Sequence, residues 1–114
     1  MIKANLRENL KFDDSKPVLT VMFDSGFSRE IRIVLKKGQT MKEHQTPFPI
    51  VVEVVKGKIE FGVDGVSTEL NEGDLVALNG GIPHDLLGKE ESIIRLSISK
   101  KDNVRRVEKI LENS

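Results

Sequence analysis

The 114-residue chain contains no cysteine, no tryptophan and no tyrosine. The lack of cysteine excludes disulfides, thiolate metal ligands and cysteine nucleophiles, and it removes any sign of an oxidising compartment. Eighteen basic residues balance eighteen acidic ones, so no field of one sign exists to attract a polyanion. We therefore expect no nucleic acid and no anionic membrane surface among the direct partners.

Long apolar runs are also missing. The opening stretch, MIKANLRENLKF, contains no apolar segment of signal-peptide length, and no later stretch approaches the length that spans a bilayer. These absences predict a soluble, cytoplasmic protein without a membrane partner. The length suits one ordinary domain with a single core, so we expect one domain over residues 1–114.

Short runs rich in Val, Ile and Leu recur along the chain, each bounded by Gly, Pro, Asn or Asp. This pattern predicts strands at 17–23, 30–38, 50–57, 58–65, 74–81 and 92–100. Glycines that follow Lys56 and Asp64 indicate hairpin turns, so residues 50–70 are expected to form consecutive hairpins. Such regular spacing is typical of an all-β sandwich or barrel.

The tail has a different pattern, because its apolar residues recur at helical spacing. Asp102 can cap a helix at this point, and a short amphipathic C-terminal α-helix is therefore expected over about 102–112. Its apolar stripe consists of Val104, Val107, Ile110 and Leu111.

The segment 38–57 begins and ends with glycine, and five residues separate Gly38 from His44. In this pattern it resembles the first motif of the small cupins. That motif runs Gly, five residues, His, one residue, His, three or four residues, Glu, six residues, Gly. The chain places Gly38, His44, Thr46, Ile50 and Gly57 at these positions. The spacing is kept, whereas a threonine and an isoleucine replace two of the three ligand residues.

Residues 73–88 resemble the second cupin motif, which runs Gly, five residues, Pro, one residue, Gly, two residues, His, three residues, Asn. The chain has Gly73, Asn79, Gly81, His84 and Gly88 there. The resemblance covers about residues 30–99 and implies a cupin double-stranded β-helix, a barrel of the jelly-roll type. A fold of this kind hosts many activities, so the resemblance implies no single one of them.

The resemblance implies that His44 and His84 face each other inside the barrel. A catalytic metal centre commonly has three protein ligands, and the nearby carboxylates of Glu43, Glu53 and Asp85 are one residue out of phase with the inward positions. We therefore expect a degenerate metal motif and no cofactor. The alternative is a divalent Zn, Fe, Mn or Ni ion held by the two histidines and an unidentified third ligand.

A small-molecule pocket is expected around the two histidines, in which their neutral rings hold a polar ligand. Phe48, flanked by Pro47 and Pro49, is expected at its rim or as a lid. Plain core packing is the alternative for the apolar members. The expected pocket residues are His44, Thr46, Phe48, Ile50, Val52, Phe61, His84 and Leu86.

Three functions remain open at this point. The first is a protein that binds a small polar molecule without catalysis, and the second is a metal-dependent cupin enzyme of the dioxygenase or isomerase type. The third is a dimeric interaction or sensor module. No Ser, His and Asp arrangement, phosphate loop or dinucleotide fingerprint supports another chemistry.

The segment PIVVEVV predicts a homodimer. Its apolar residues occupy both faces of one strand, and only Glu53 interrupts them. A strand that is apolar on both faces needs cover on both. An identical subunit can supply the second cover, and the alternatives are an N-terminal strand or the C-terminal helix.

Overall fold

The computed structural model describes residues 1–100, which form nine β-strands. The strands make two antiparallel sheets, one of five strands in the order β1-β2-β9-β4-β7 and one of four in the order β3-β8-β5-β6. Their bounds are β1 Val18–Asp24, β2 Ser28–Leu35, β3 Thr40–His44, β4 Ile50–Lys56, β5 Lys58–Val63, β6 Val66–Asn71, β7 Leu75–Leu78, β8 His84–Gly88 and β9 Ser92–Ser99. This double-stranded β-helix confirms the expected all-β jelly roll. The helix expected at about 102–112 lies outside the described residues.

Three strands, β3, β6 and β8, are not among the six apolar runs from which strands are predicted. β6 has the sequence VSTELN, and only Leu70 within it is buried. β3 and β8 have five residues each and mix charged residues with apolar ones. Their strand conformation depends on pairing with neighbours in the sheet, because strand propensity reflects the surroundings more than the segment itself.

The core lies between the two sheets, where alternate residues of each strand point inward. On β2 the inward set is Ile31, Ile33 and Leu35, and on β4 it is Ile50, Val52 and Val54. Burying one such aliphatic side chain stabilises the fold by about 1.5–3 kcal/mol. The four-stranded sheet completes the core with Ile59, Phe61, Leu70 and Leu86.

The β4–β5 turn packs closely against the start of β9, through Gly57 and Ser92. Gly57 has φ of 96°, and a Cβ at this position would lie 2.3 Å from Ser92 Oγ. The Ser92 hydroxyl is fully buried. It accepts a hydrogen bond from the Lys58 amide at 3.1 Å and lies 2.8 Å from the Glu90 carbonyl oxygen. Only glycine fits at position 57 without displacing this contact.

An N-terminal strap, residues 1–9, lies against the outer face of the five-stranded sheet. Arg32 alternates with the inward-facing Ile31 and Ile33 and therefore points outward, yet it is only 5% exposed. Its guanidinium donates hydrogen bonds to the carbonyl oxygens of Leu6 and Glu8 in the strap, at 3.3 and 2.7 Å. The strap thus covers one end of the outer face of the five-stranded sheet. Within residues 1–100, no helix has the length and apolar character needed to cross a membrane.

Candidate functional site

An irregularity in β3 allows His44 to face the barrel interior. β3 and β8 are antiparallel, with Met41 opposite Leu86 and His44 opposite His84, so β3 has one more residue than β8 between these pairs. Met41 packs against the core, and strict alternation would place a residue three positions later on the opposite face. The additional residue, as in a β-bulge, restores the inward direction at His44.

The two imidazoles meet inside the barrel. Their ring centroids are 4.4 Å apart, and the ring planes make an angle of 60°. His84 is also stacked on Phe61, with centroids 5.6 Å apart and planes at 24°. His84 is 5% exposed, whereas His44 is half-buried. One ring is therefore fixed in the apolar interior, and the other lies between it and the surface.

Each histidine forms a hydrogen bond to the backbone of its own segment. His44 Nδ1 lies 2.8 Å from the Lys42 carbonyl oxygen, and His84 Nδ1 lies 2.9 Å from the Ile82 carbonyl oxygen. A carbonyl oxygen can only accept, so Nδ1 carries the proton in both rings. In the neutral form, Nε2 of each ring is then left as an acceptor.

The side chains around the pair do not fit a three-ligand metal centre. Within residues 1–100, no group of three His, Asp or Glu side chains is placed to hold a metal ion. Thr46 donates its hydroxyl to the Phe48 carbonyl oxygen at 2.8 Å, and Ile50 is a buried hydrocarbon. Glu53 is paired with Arg95 at 2.8 Å on the outer face of the sheet. The donor set thus consists of two imidazoles, one short of the usual count.

The remaining expected carboxylates and pocket residues are placed as follows. Glu43 and Asp85 are exposed, and neither orients a histidine ring. Thr46 and Phe48 are half-buried in the β3–β4 connection. The structure places the four apolar members of the expected pocket, Ile50, Val52, Phe61 and Leu86, in the buried core cluster.

Two connections meet beside the histidine strands. The Gly81 amide donates to the Thr46 carbonyl oxygen at 2.7 Å, and a Cβ on Gly80 would lie 2.2 Å from the Pro47 carbonyl oxygen. The β7–β8 connection therefore needs glycine at position 80 in order to pack on the β3–β4 connection. Sequence reasoning missed this contact, although the consecutive glycines at 80 and 81 were a signal for it.

Comparison with known proteins agrees with this architecture. The cupin domain family model matches residues 31–98, more than half of the chain. An RmlC-like cupin protein from Desulfovibrio desulfuricans superposes with a TM-score of 0.81 at 22% identity, covering 87% of this chain and 96% of that one. TT1209 from Thermus thermophilus gives a TM-score of 0.79 at 18% identity, covering 87% of this chain and 97% of that one.

A third solved structure, the conserved SPY1581 protein of unknown function from Streptococcus pyogenes, has a TM-score of 0.74 at 21% identity and covers 86% of each chain. At such identities the likeness shows the fold alone. No curated protein matches the chain.

Proposed function

The chain belongs to the cupin family, and from that premise we propose that it binds a small polar molecule at His44 and His84 without catalysis. The observation that carries the proposal is the contact of each Nδ1 with a backbone carbonyl oxygen, which assigns the same tautomer to both rings. Each Nδ1–H is used by a backbone carbonyl, and each Nε2 is left as an acceptor on rings whose centroids are 4.4 Å apart. Two acceptors this close can hold one ligand together.

The chemistry of the pair defines the ligand class. Two acceptors require a ligand with two hydrogen-bond donors close together, such as neighbouring hydroxyl groups or the NH₂ of a primary amide. Phe61 stacks on His84 and supplies an apolar wall. The expected ligand is therefore a small polyhydroxylated or amide-containing compound with some carbon surface. We expect Phe48 at the rim of this pocket.

The metal-dependent enzyme is the weaker alternative. Two imidazoles hold a divalent ion less firmly than a three-ligand centre does, and the side chains of residues 1–100 do not supply a third donor beside them. Purified protein that contains one equivalent of zinc, iron, manganese or nickel, and loses it in both His44→Ala and His84→Ala, would overturn the non-catalytic assignment.

The tautomer can be tested first, without knowledge of the ligand. Long-range ¹H–¹⁵N spectra of ¹⁵N-histidine-labelled protein distinguish Nδ1–H from Nε2–H rings. We expect Nδ1–H for both residues at neutral pH. Nε2–H at either position removes an acceptor and contradicts the proposed binding mode.

Binding is then tested by titration with ribose and glycerol as neighbouring diols and with acetamide as a primary amide. Binding of any of them should shift the Nε2 resonances of both rings in a saturable manner. His44→Ala and His84→Ala should abolish that binding, whereas Gln45→Ala, at an exposed neighbouring position, is the control and should leave it unchanged. Nε2 resonances that stay fixed with all three probes argue against this ligand class.

A homodimer is proposed separately. Val51 and Val55, on the outer side of β4, are only half-buried, and the neighbouring edge strand β7 exposes Leu75 to 61%. An identical subunit can cover this apolar end of the sheet, which residues 1–100 leave partly exposed. Sedimentation at micromolar concentration should give the mass of two chains, and Leu75→Glu should shift it to one. A single-chain mass for the unmodified protein contradicts the dimer.

A further inference from the structure

The N-terminal strap is fixed to the barrel by a buried arginine. Besides Leu6 and Glu8, the Arg32 guanidinium donates to the Asn9 carbonyl oxygen at 3.2 Å. It forms no ion pair within residues 1–100. Burying a charge is costly unless hydrogen bonds satisfy it. The three carbonyls compensate Nη1 and Nη2, whereas Nε is buried without a partner among the described residues. A second contact, from Arg7 Nη2 to the Val55 carbonyl oxygen at 3.1 Å, holds the strap to β4.

A cavity of about 640 Å³ lies between this strap and the β1–β2 hairpin. Small-molecule sites commonly have volumes of about 300–1,000 Å³ and mostly apolar walls with a few polar groups. The cavity is on the outer side of the five-stranded sheet, so the sheet separates it from the histidine pair. Its lining includes Ile2, Leu6, Phe23, Phe27, Glu30 and Arg95.

The polar floor of this outer cavity favours an uncharged ligand. Arg95 donates from Nε to Glu53 at 2.8 Å and from Nη1 to Glu30 at 3.0 Å. The two carboxylates neutralise the guanidinium, so Arg95 offers no unpaired positive charge to an anion. The second oxygen of Glu30 already accepts from the Ser97 hydroxyl at 2.5 Å.

Arg95 nevertheless has N–H groups that the two carboxylates do not use. Its Nη2 group forms no hydrogen bond with any residue in the described part of the chain. The guanidinium has five N–H donors, and two of them are used by the carboxylates. An oxygen of a bound molecule can accept from the remainder, while the apolar walls cover its carbon skeleton.

We propose that the outer cavity binds a small, uncharged, largely apolar molecule whose carbonyl oxygen accepts a hydrogen bond from Arg95. This ligand accepts a hydrogen bond from the protein, whereas the ligand proposed for the histidine pair donates hydrogen bonds to it. The site is independent of the proposed function, because no residue is shared between the cavity lining and the histidine pair.

The probe for this site is Nile red, an uncharged apolar dye with a carbonyl group. The chain is prepared with any purification tag at its C-terminal end, so that the strap is unaltered. Methionine is labelled with ¹³C at its methyl group, which gives three reporters. Met22 lines the outer cavity, and Met41 packs against the barrel core. We expect saturable dye fluorescence together with a shift of the Met22 methyl signal and none of Met41.

A filled cavity provides the matched test. Ala4 lines the cavity, and Ala4→Trp should weaken dye binding about tenfold or more, a loss of about 1.4 kcal/mol. Val66→Trp, at an exposed position on the other sheet, is the control and should bind like the unmodified protein. His84→Ala should also leave dye binding unchanged.

Several results would overturn the proposal. A shift of Met41 without Met22 places the dye in the barrel, and a shift of neither methyl under saturating dye excludes a defined site. Equal affinity in Ala4→Trp and Val66→Trp excludes the cavity. Tighter binding of the anionic dye 8-anilinonaphthalene-1-sulfonate than of Nile red contradicts the uncharged ligand class. The methyl readout needs no substitution, so it decides the matter even where Ala4→Trp does not fold.

Discussion

His44 and His84 are register partners on β3 and β8, and each ring is oriented by the carbonyl oxygen two residues before it in the chain. The same local arrangement is thus used on both strands. Backbone carbonyls keep their places when neighbouring side chains change. The orientation of the pair is therefore independent of any carboxylate, and it survives in a site where Thr46 and Ile50 occupy the other two motif positions.

Restoring those two positions should create a metal site. In Thr46→His with Ile50→Glu, the resemblance to the cupin motif implies a full ligand set with His44 and His84. A carboxylate at position 50, which is 3% exposed, should destabilise the metal-free protein by several kcal/mol, because a buried unpaired charge is costly. Zinc or nickel should recover that stability.

The metal experiment is calorimetric titration together with thermal unfolding, with and without metal. His84→Ala added to the double variant is the control and should remove the gain. An affinity equal to that of the unmodified protein would mean that positions 46 and 50 do not converge on the histidines.

Gly57→Ala should be much more destabilising than Gly26→Ala. The two glycines have similar φ values, 96° and 94°. An alanine at either position is therefore strained by about 1–2 kcal/mol. A Cβ at 57 collides with Ser92 Oγ and with the Glu91 carbonyl oxygen, whereas one at 26 meets no atom within 4 Å. We expect Gly57→Ala to cost about 1–3 kcal/mol more. Urea unfolding measures the difference, and equal losses would contradict the close contact.

Arg32→Ala should destabilise the fold and release the strap. The change leaves the carbonyl oxygens of Leu6, Glu8 and Asn9 without their donor, and we expect a loss of about 2–4 kcal/mol. The control is Arg29→Ala, which removes an exposed ion pair with Asp24 and should cost at most about 1 kcal/mol. Hydrogen exchange in residues 1–9 should become faster in Arg32→Ala but not in Arg29→Ala. Unchanged exchange in Arg32→Ala would contradict the role of Arg32 in holding the strap.

Glu30 should contribute a pH-dependent part of the stability. Burial opposes its ionisation, but hydrogen bonds from Ser97 and Ser28 and the Arg95 guanidinium outweigh this, so its pKa lies below the ordinary value of 4.5. A lowered carboxyl pKa stabilises the fold above pH 4.5, and the contribution is lost as the pH falls through the folded-state pKa.

The stability difference between the unmodified protein and Glu30→Gln should therefore shrink as the pH falls below about 4.5. Chemical unfolding at a series of pH values measures it. Glu72→Gln, at an exposed turn position, is the control. A difference that stays constant down to about pH 2 would exclude Glu30 as the cause.

The fold could be predicted because the chain marks its turns clearly. Branched aliphatic runs bounded by glycines located six strands, and the motif spacing implied the jelly roll. The short polar strands could not be found in this way, because β6 buries only Leu70 and takes its conformation from its pairing with β5. Pairing is a property of the whole sheet, which a local pattern does not contain.

The site was predictable in part. Resemblance singled out His44 and His84, and the structure brings their rings together. The irregularity in β3 has no signature in TMKEH, because it becomes visible only in the register against β8. The outer cavity was missed as well. The strap lacks a strand or helix period, and its position depends on Arg32, although arginine is a residue type that is mostly exposed in proteins.

The number of residues between Met41 and His44 determines whether β3 needs an irregularity for the His44 imidazole to face inward. At the present spacing, plain alternation along β3 would turn the His44 ring to the solvent side, whereas loss of one residue from this stretch would let plain alternation keep the ring inward. A related chain that is one residue shorter here can thus keep the pair on a regular strand, and a comparison that scores only residue identity would not distinguish the two forms of the strand.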